Sequence, residues 1–182
     1  MGGTNDENAE KIEKLDDGSF IVTTNKGTAH KAKAVAIAGG LGSFEPRKPL
    51  IDNLPDFEKH GVEYMIKDPE TFRDKDVIIS GGGDSALDWS IFLSDVASEV
   101  TLVHRRNEFR GALDSVEKVQ ELKNAGKIKL ITPAEVVGFK GTERIESVDV
   151  EINGARMNVA TDYFIPLFGL TPKLGAIANW GL

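Results

Sequence analysis

The stretch Asp76-Val77-Ile78-Ile79-Ser80-Gly81-Gly82-Gly83-Asp84-Ser85-Ala86 constrains this chain more than any other. A short β-branched run meets a glycine cluster, and an apolar segment with helical spacing follows. The pattern predicts a strand over 76–80, a tight turn, and a helix over about 84–97. Gly81, Gly83 and Ala86 stand at the G-x-G-x-x-A spacing of a dinucleotide fingerprint. Gly81 lets the chain leave the strand in a turn that a side chain would block. Gly83 lets backbone approach a pyrophosphate, and Ala86 is small enough for the helix to pack on the strand. Gly82 completes the turn, and Ser85 opens the helix beside Asp84. The free N–H groups and positive dipole end of that helix would face phosphates. Asp84 next to a phosphate is electrostatically unfavourable, so it reads as an N-cap or another polar contact rather than a ligand. Glycine-rich strand-to-helix turns also arise for structural reasons alone, so the second half of the unit has to decide.

After the helix, Val100-Thr101-Leu102-Val103 reads as the next strand and runs into His104-Arg105-Arg106-Asn107-Glu108-Phe109-Arg110. In an NAD-binding unit the residue ending this strand, about 20 residues past the glycines, is usually Asp or Glu and accepts a bond from the ribose 2′-OH. A carboxylate there would repel a 2′-phosphate, whereas guanidinium groups grip one through paired, charge-assisted bonds. The site therefore reads as NADP(H) over NAD(H), held by Arg105, Arg106 and Arg110 with His104 stacked near the adenine or assisting. The alternative is that the arginines form a solvated charged face.

With 182 residues the chain has room for one compact domain and a remnant of another. A net charge of −7 argues against general nucleic-acid binding, and the basic island at 104–110 suits a small anion better than a polyanion. There is no cysteine, which excludes a disulfide framework, a thiolate metal site and a redox dithiol within these residues, and agrees with a cytoplasmic setting. The aspartates at 16, 17, 68, 74 and 76 have no metal-ligand spacing. No apolar run approaches the roughly 18 residues of a membrane span.

Residues 1–10 read as a frayed polar start. A β-meander is predicted over 11–15, 19–24 and 28–33, then a buried strand over 34–38 ending in Gly39-Gly40-Leu41-Gly42. Residues 43–56, with three of the seven prolines, read as a crossover linker. A short strand is expected over 62–66 and a turn over 68–72. After the strand at 99–104 comes a helix over about 114–125, with Asp114 and Glu117 as a capping box and Val116, Val119 and Leu122 as its buried stripe. A third parallel strand at 128–131 is followed by antiparallel segments at 134–140, 145–152 and 155–160, the last two joined by an Asn153-Gly154 hairpin turn. A strand over 163–168 closes the order, with Pro166 counting against a regular central strand. The expected fold is α/β: a three-layer β/β/α Rossmann-like NAD(P)-binding domain with a parallel sheet, two main helices and a β-meander. His30 and His60 read as surface residues, and Trp89 as core.

Taken together, Gly81 to Trp89, His104-Arg105-Arg106 with Arg110, Phe168-Gly169-Leu170-Thr171-Pro172 and the tail Leu174 to Leu182 resemble the ferredoxin/flavodoxin–NADP⁺ reductases among the thioredoxin-reductase-like flavoproteins. The similarity covers roughly residues 10–182. It implies an NADPH-binding domain over 43–170, a flavin-domain remnant over 1–42, and a crossover back toward that domain over 171–182. It implies hydride transfer from NADPH to an FAD outside these residues and electron transfer on to ferredoxin or flavodoxin, with no acid–base catalyst required here. On this resemblance the chain is a fragment that would be inactive alone, its parent a flavoprotein that could be a homodimer. Gly169 to Pro172 would pass near the nicotinamide half. Those residues and Gly39 to Gly42 are the hinge candidates, and Trp180 would be loosely packed. Thioredoxin reductases carry a Cys-x-x-Cys pair just before the fingerprint strand; the matching stretch here, about Tyr64 to Asp68, has no cysteine. Dithiol exchange needs a thiolate, so the resemblance favours a one-electron carrier. The alternatives are a thioredoxin-reductase-like enzyme lacking its dithiol here and a non-catalytic NADP(H)-binding module.

Overall fold

Alternation along the parallel strands decides the layers. In a computed structural model, which describes residues 6–38, 44–173 and 175–181, the chain begins with β1 (Ala9–Lys14), β2 (Phe20–Thr24), β3 (Ala29–Ala32) and β4 (Phe44–Pro46). There follow α1 (Leu54–Phe57), a 3₁₀ turn at Pro69–Phe72, β5 (Asp76–Ser80), α2 (Asp84–Leu93), β6 (Glu99–Val103), α3 (Leu113–Asn124) and β7 (Ile128–Ile131). The rest is β8 (Glu135–Gly141), β9 (Ile145–Ile152), β10 (Ala155–Ala160), β11 (Tyr163–Pro166), β12 (Leu170–Pro172) and a 3₁₀ turn at Gly175–Asn179. The chain divides into two compact units, residues 1–45 with 170–182, and residues 46–169.

The larger unit is built on a parallel sheet in the order β11-β5-β6-β7. Ile78, Val103 and Phe164 point to one face and pack with Phe139, Val148 and Val150 of the meander β10-β9-β8. Their sequence neighbours Val77, Ile79, Leu102 and Ile165 point to the other face and pack with Leu87, Leu93 and Val119 of α2 and α3. Successive strand residues face opposite sides, so each strand, buried on both faces, serves two cores. This is the expected β/β/α sandwich. The Asn153-Gly154 turn takes positive φ at both residues, 51° and 81°, as a two-residue hairpin demands. Pro166 is tolerated because it is the last residue of β11, which lies at the sheet edge and pairs only with Ser80 there.

In the smaller unit β1, β2 and β3 form an antiparallel sheet, and β12 pairs with β4. Ile12 is its one buried large apolar side chain among the described residues. Trp180 is held here: its indole N–H donates to the Glu10 carbonyl at 2.9 Å. Lys173 pairs with Glu45.

Several expectations are corrected. Residues 34–38 are no strand; Ile37 is 48% exposed. An apolar run becomes a strand only beside a partner that completes its hydrogen bonds, and the described residues provide none. The stretch at 62–66 reduces to single bridges of Val62 with Glu58 and Phe164. The linker at 43–56 holds β4 and α1. The start is not frayed throughout: Thr24 Oγ1 donates to Glu7 at 2.6 Å, and β1 begins at Ala9. The helix after the glycines stops at Leu93, and the capping box is absent, since α3 is preceded by Ala112 with no side-chain cap of its own. Trp89 is half-buried against the α-helical core, while His30 and His60 are exposed. No helix among the described residues is long and apolar enough to cross a membrane.

Candidate functional site

β5 delivers the chain into the glycine turn, and its neighbours hold the turn open at one end. The Gly81 N–H donates to the Val103 carbonyl at 3.1 Å, and the Leu167 N–H to the Ser80 carbonyl at 2.8 Å. A Cβ on Gly81 would lie 2.7 Å from the Leu167 carbonyl oxygen and 2.8 Å from the Cβ of Ala86. Ala86 itself is fully buried. Gly81 and Ala86 are thus the small pair that lets strand, helix and the exit of β11 converge. Gly82 is glycine for a different reason: a Cβ there would fall inside the imidazole of His104. Gly83 precedes α2 with an ordinary extended backbone (φ −103°), and a Cβ on it would meet nothing. Its bare face looks into open space. Among the described residues the N–H groups of Gly82, Gly83, Asp84 and Ser85 have no acceptor, so the start of the helix presents unsatisfied donors.

His104 ends β6 and is buried. Its ring stacks on Phe109 with centroids 5.1 Å apart, and its Nε2 lies 3.1 Å from the Glu108 carbonyl oxygen. Its backbone N–H donates to Ile131 and its carbonyl accepts from Ala134. Burial holds the imidazole below its ordinary pKa of 6.5, opposed by the bond to Glu108 and reinforced by Arg105, Arg106 and Arg110. The ring therefore props the segment that follows it against Gly82. Arg105, Arg106 and Arg110 are exposed, and none pairs with a carboxylate among the described residues. Arg105 and Arg106 border an open pocket of about 470 Å³ shared with Glu135, Glu151 and Asn153.

One bond joins the two motifs. The Arg110 N–H donates to the Gly82 carbonyl at 2.7 Å. Asp84, exposed at the first position of α2, is not the cap of its own helix, because Gly83 holds that place. Its Oδ1 instead accepts the Ala112 N–H at 2.7 Å. Gly169 has φ +88° in open space, and its carbonyl accepts from the Arg47 N–H. Gly39 to Gly42 lie outside the described residues. Sequence reasoning missed Phe109, Gly111 and the reach of Asp84. A glycine between Arg110 and Ala112, inside a basic segment, is the sign of close backbone approach that could have pointed to it.

A parallel sheet between helices and a meander, with an open glycine turn at the head of its first strand, defines a Rossmann-like nucleotide-binding domain. A family model described as pyridine nucleotide-disulphide oxidoreductase matches residues 4–182, and the chain belongs to that family. Curated relatives include the ferredoxin–NADP reductase of Flavobacterium psychrophilum, 75% identical over 182 residues that are 100% of this chain and 52% of the relative. That of Rhodospirillum rubrum is 44% identical over 95% of this chain and 51% of its own length. The chain thus spans about half the length of the curated relatives it matches. Among solved structures, the thioredoxin reductase of Lactococcus lactis aligns with a TM-score of 0.79 at 25% identity, over 96% of this chain and 56% of that one. That of T. acidophilum aligns at 0.81 and 22% identity, over 97% and 56%, a likeness of fold.

Proposed function

We propose that the chain binds NADPH through residues 81–86 and 104–110, as the NADPH-binding part of a flavin-dependent ferredoxin/flavodoxin–NADP⁺ reductase. The observation that carries the reading is the junction, through the bond from Arg110 to Gly82, of an open glycine turn with three arginines that pair with no carboxylate among the described residues. The free N–H groups at 82–85 are donors for the pyrophosphate, and the bare face of Gly83 leaves room for it. Arg105, Arg106 and Arg110 supply paired, charge-assisted bonds to a 2′-phosphate. Leu167 lies beside Gly81, and Gly169, two residues on, is the position we assign to the nicotinamide half.

The relatives named ferredoxin–NADP reductase support NADP(H) and ferredoxin as the partners of a protein of the relatives' length; in that protein an FAD held outside these residues would supply the step between hydride from NADPH and single electrons for ferredoxin or flavodoxin. The unit of residues 1–45 and 170–182, with one buried apolar residue and no second strand–glycine–helix turn among those described, gives no residue to assign to FAD. We read it as part of a flavin domain. These 182 residues hold no cysteine, so the dithiol chemistry of the thioredoxin reductases is not theirs.

Calorimetric titration with NADPH and NADH at low and high salt tests the reading. A preference for NADPH that shrinks as salt rises is expected, because screening weakens the arginine–phosphate contacts. Equal or absent binding overturns the assignment of the coenzyme.

A further inference from the structure

We infer that Asp84 is a positioning residue for coenzyme discrimination: from the first turn of α2 it holds the arginine segment at the place where a 2′-phosphate is recognised. The inference rests on the NADPH reading above and extends it to the Asp84 side chain, whose Oδ1 is turned to the Ala112 N–H rather than to a phosphate.

Asp84 stands where a negative charge opposes the ligand, beside donors that await a pyrophosphate. Its geometry supplies another task. Oδ1 accepts the Ala112 N–H at 2.7 Å, and one helical turn on, Asp88 Oδ1 accepts from Ser115 Oγ at 2.9 Å. The two carboxylates share a face of α2, being four residues apart, and both reach the start of α3. That helix has no side-chain cap of its own; α2 caps it from outside, and a carboxylate at a helix N-terminus is favoured by the dipole. Gly111 makes the reach feasible. A Cβ on it would lie 2.5 Å from Leu87 Cδ1, 3.1 Å from Asp84 Oδ1 and 3.2 Å from the Asp84 nitrogen. The segment is therefore pinned on both sides of its last arginine, at the Arg110 N–H by Gly82 and at the Ala112 N–H by Asp84. Those two bonds fix the direction in which the Arg110 side chain leaves the backbone.

Charge and position predict opposite signs. If Asp84 acted through charge alone, removing it would strengthen NADP⁺ and NAD⁺ alike, because both carry the pyrophosphate. If it positions the arginines, removing the acceptor weakens NADP⁺ and spares NAD⁺. Asparagine loses the charge but keeps an acceptor oxygen; alanine loses both.

The test is titration of the full chain and its Asp84→Asn, Asp84→Ala and Gly111→Ala variants with NADP⁺ and NAD⁺, with folding checked by near-ultraviolet circular dichroism. Asp84→Ala is expected to lower the NADP⁺-to-NAD⁺ affinity ratio about tenfold, the size of a lost charge-assisted bond. Asp84→Asn is expected to keep the wild-type ratio. Gly111→Ala, whose methyl crowds Leu87 Cδ1 and presses on the Asp84 carboxylate and nitrogen while leaving the acceptor in place, is expected to lower the ratio as well, and it carries the test if Asp84→Ala does not fold. An unchanged ratio in a folded Asp84→Ala, or a gain or loss shared equally by both coenzymes, overturns the inference while leaving the NADPH reading in place. A wild-type chain with no preference for NADP⁺ overturns both.

Discussion

Val77-Ile78-Ile79 and Val35-Ala36-Ile37 are similar short runs, each leading into glycines, and they end in opposite states. Ile79 has no exposed surface, whereas Ile37 keeps 48% of its own. β5 is bonded by β6 on one side and β11 on the other, with side chains packed above and below. The run at 34–38 has no strand beside it among the described residues. Apolar composition nominates a strand, but neighbours that complete its hydrogen bonds and cover its faces make it one.

The largest effect that could break this comparison is a pair of truncations. Ile79→Ala should destabilise the chain by about 2–5 kcal/mol through the cavity it leaves, while Ile37→Ala should stay within about 0.5 kcal/mol. Urea unfolding measures both, and similar losses would mean that the exposed run is packed after all.

Within the turn that β5 feeds, adjacent glycines sharpen the contrast between packed and open positions. Gly82→Ala must displace the His104 ring and should cost about 1–3 kcal/mol of stability. Gly83→Ala adds a methyl to open space; it should leave the melting temperature nearly unchanged and weaken NADPH binding instead. Thermal unfolding and titration of the two variants separate a residue that serves the fold from one that serves the ligand. Next in size, Arg110→Ala should lower NADPH affinity about tenfold, the size of one charge-assisted contact. NADH binding should be unchanged and the salt dependence smaller. A matching loss for NADH would put the guanidinium elsewhere.

The smallest effect is pH-dependent. Burial lowers the pKa of His104 in the native state from 6.5, so below 6.5 the unfolded chain binds more protons than the folded one. Its stabilising contribution is complete above 6.5 and declines as the pH falls from 6.5 toward the lowered native value. Melting temperatures of the wild type and His104→Gln on either side of 6.5 measure this; parallel curves would remove His104 as the source.

The parallel core was legible because its signals are local and redundant. Short β-branched runs, a glycine turn, the helical stripe of Val116, Val119 and Leu122, and Asn153-Gly154 each specify their own element. What escaped depends on distant partners. The run at 34–38 looked like a strand because composition cannot report a missing neighbour. Asp114 and Glu117 matched a capping box, but the start of α3 is held by Asp84, 28 positions away from Ala112. Trp180 looked loose because its acceptor, Glu10, lies at the other end of the chain. The candidate site follows the same division: its glycines and arginines could be read, whereas the bond that ties Arg110 to Gly82 could not.

Because that bond and the one to Asp84 anchor the arginine segment, the coenzyme preference proposed for it would not be portable on the segment alone. A graft of residues 104–110 into another scaffold would carry the guanidinium groups and leave behind the carbonyl and carboxylate that aim them. The smallest transplant that keeps its aim is the pair of loops together, with Gly111 between them, so redesign here has to treat recognition as a two-part joint rather than a string of charges.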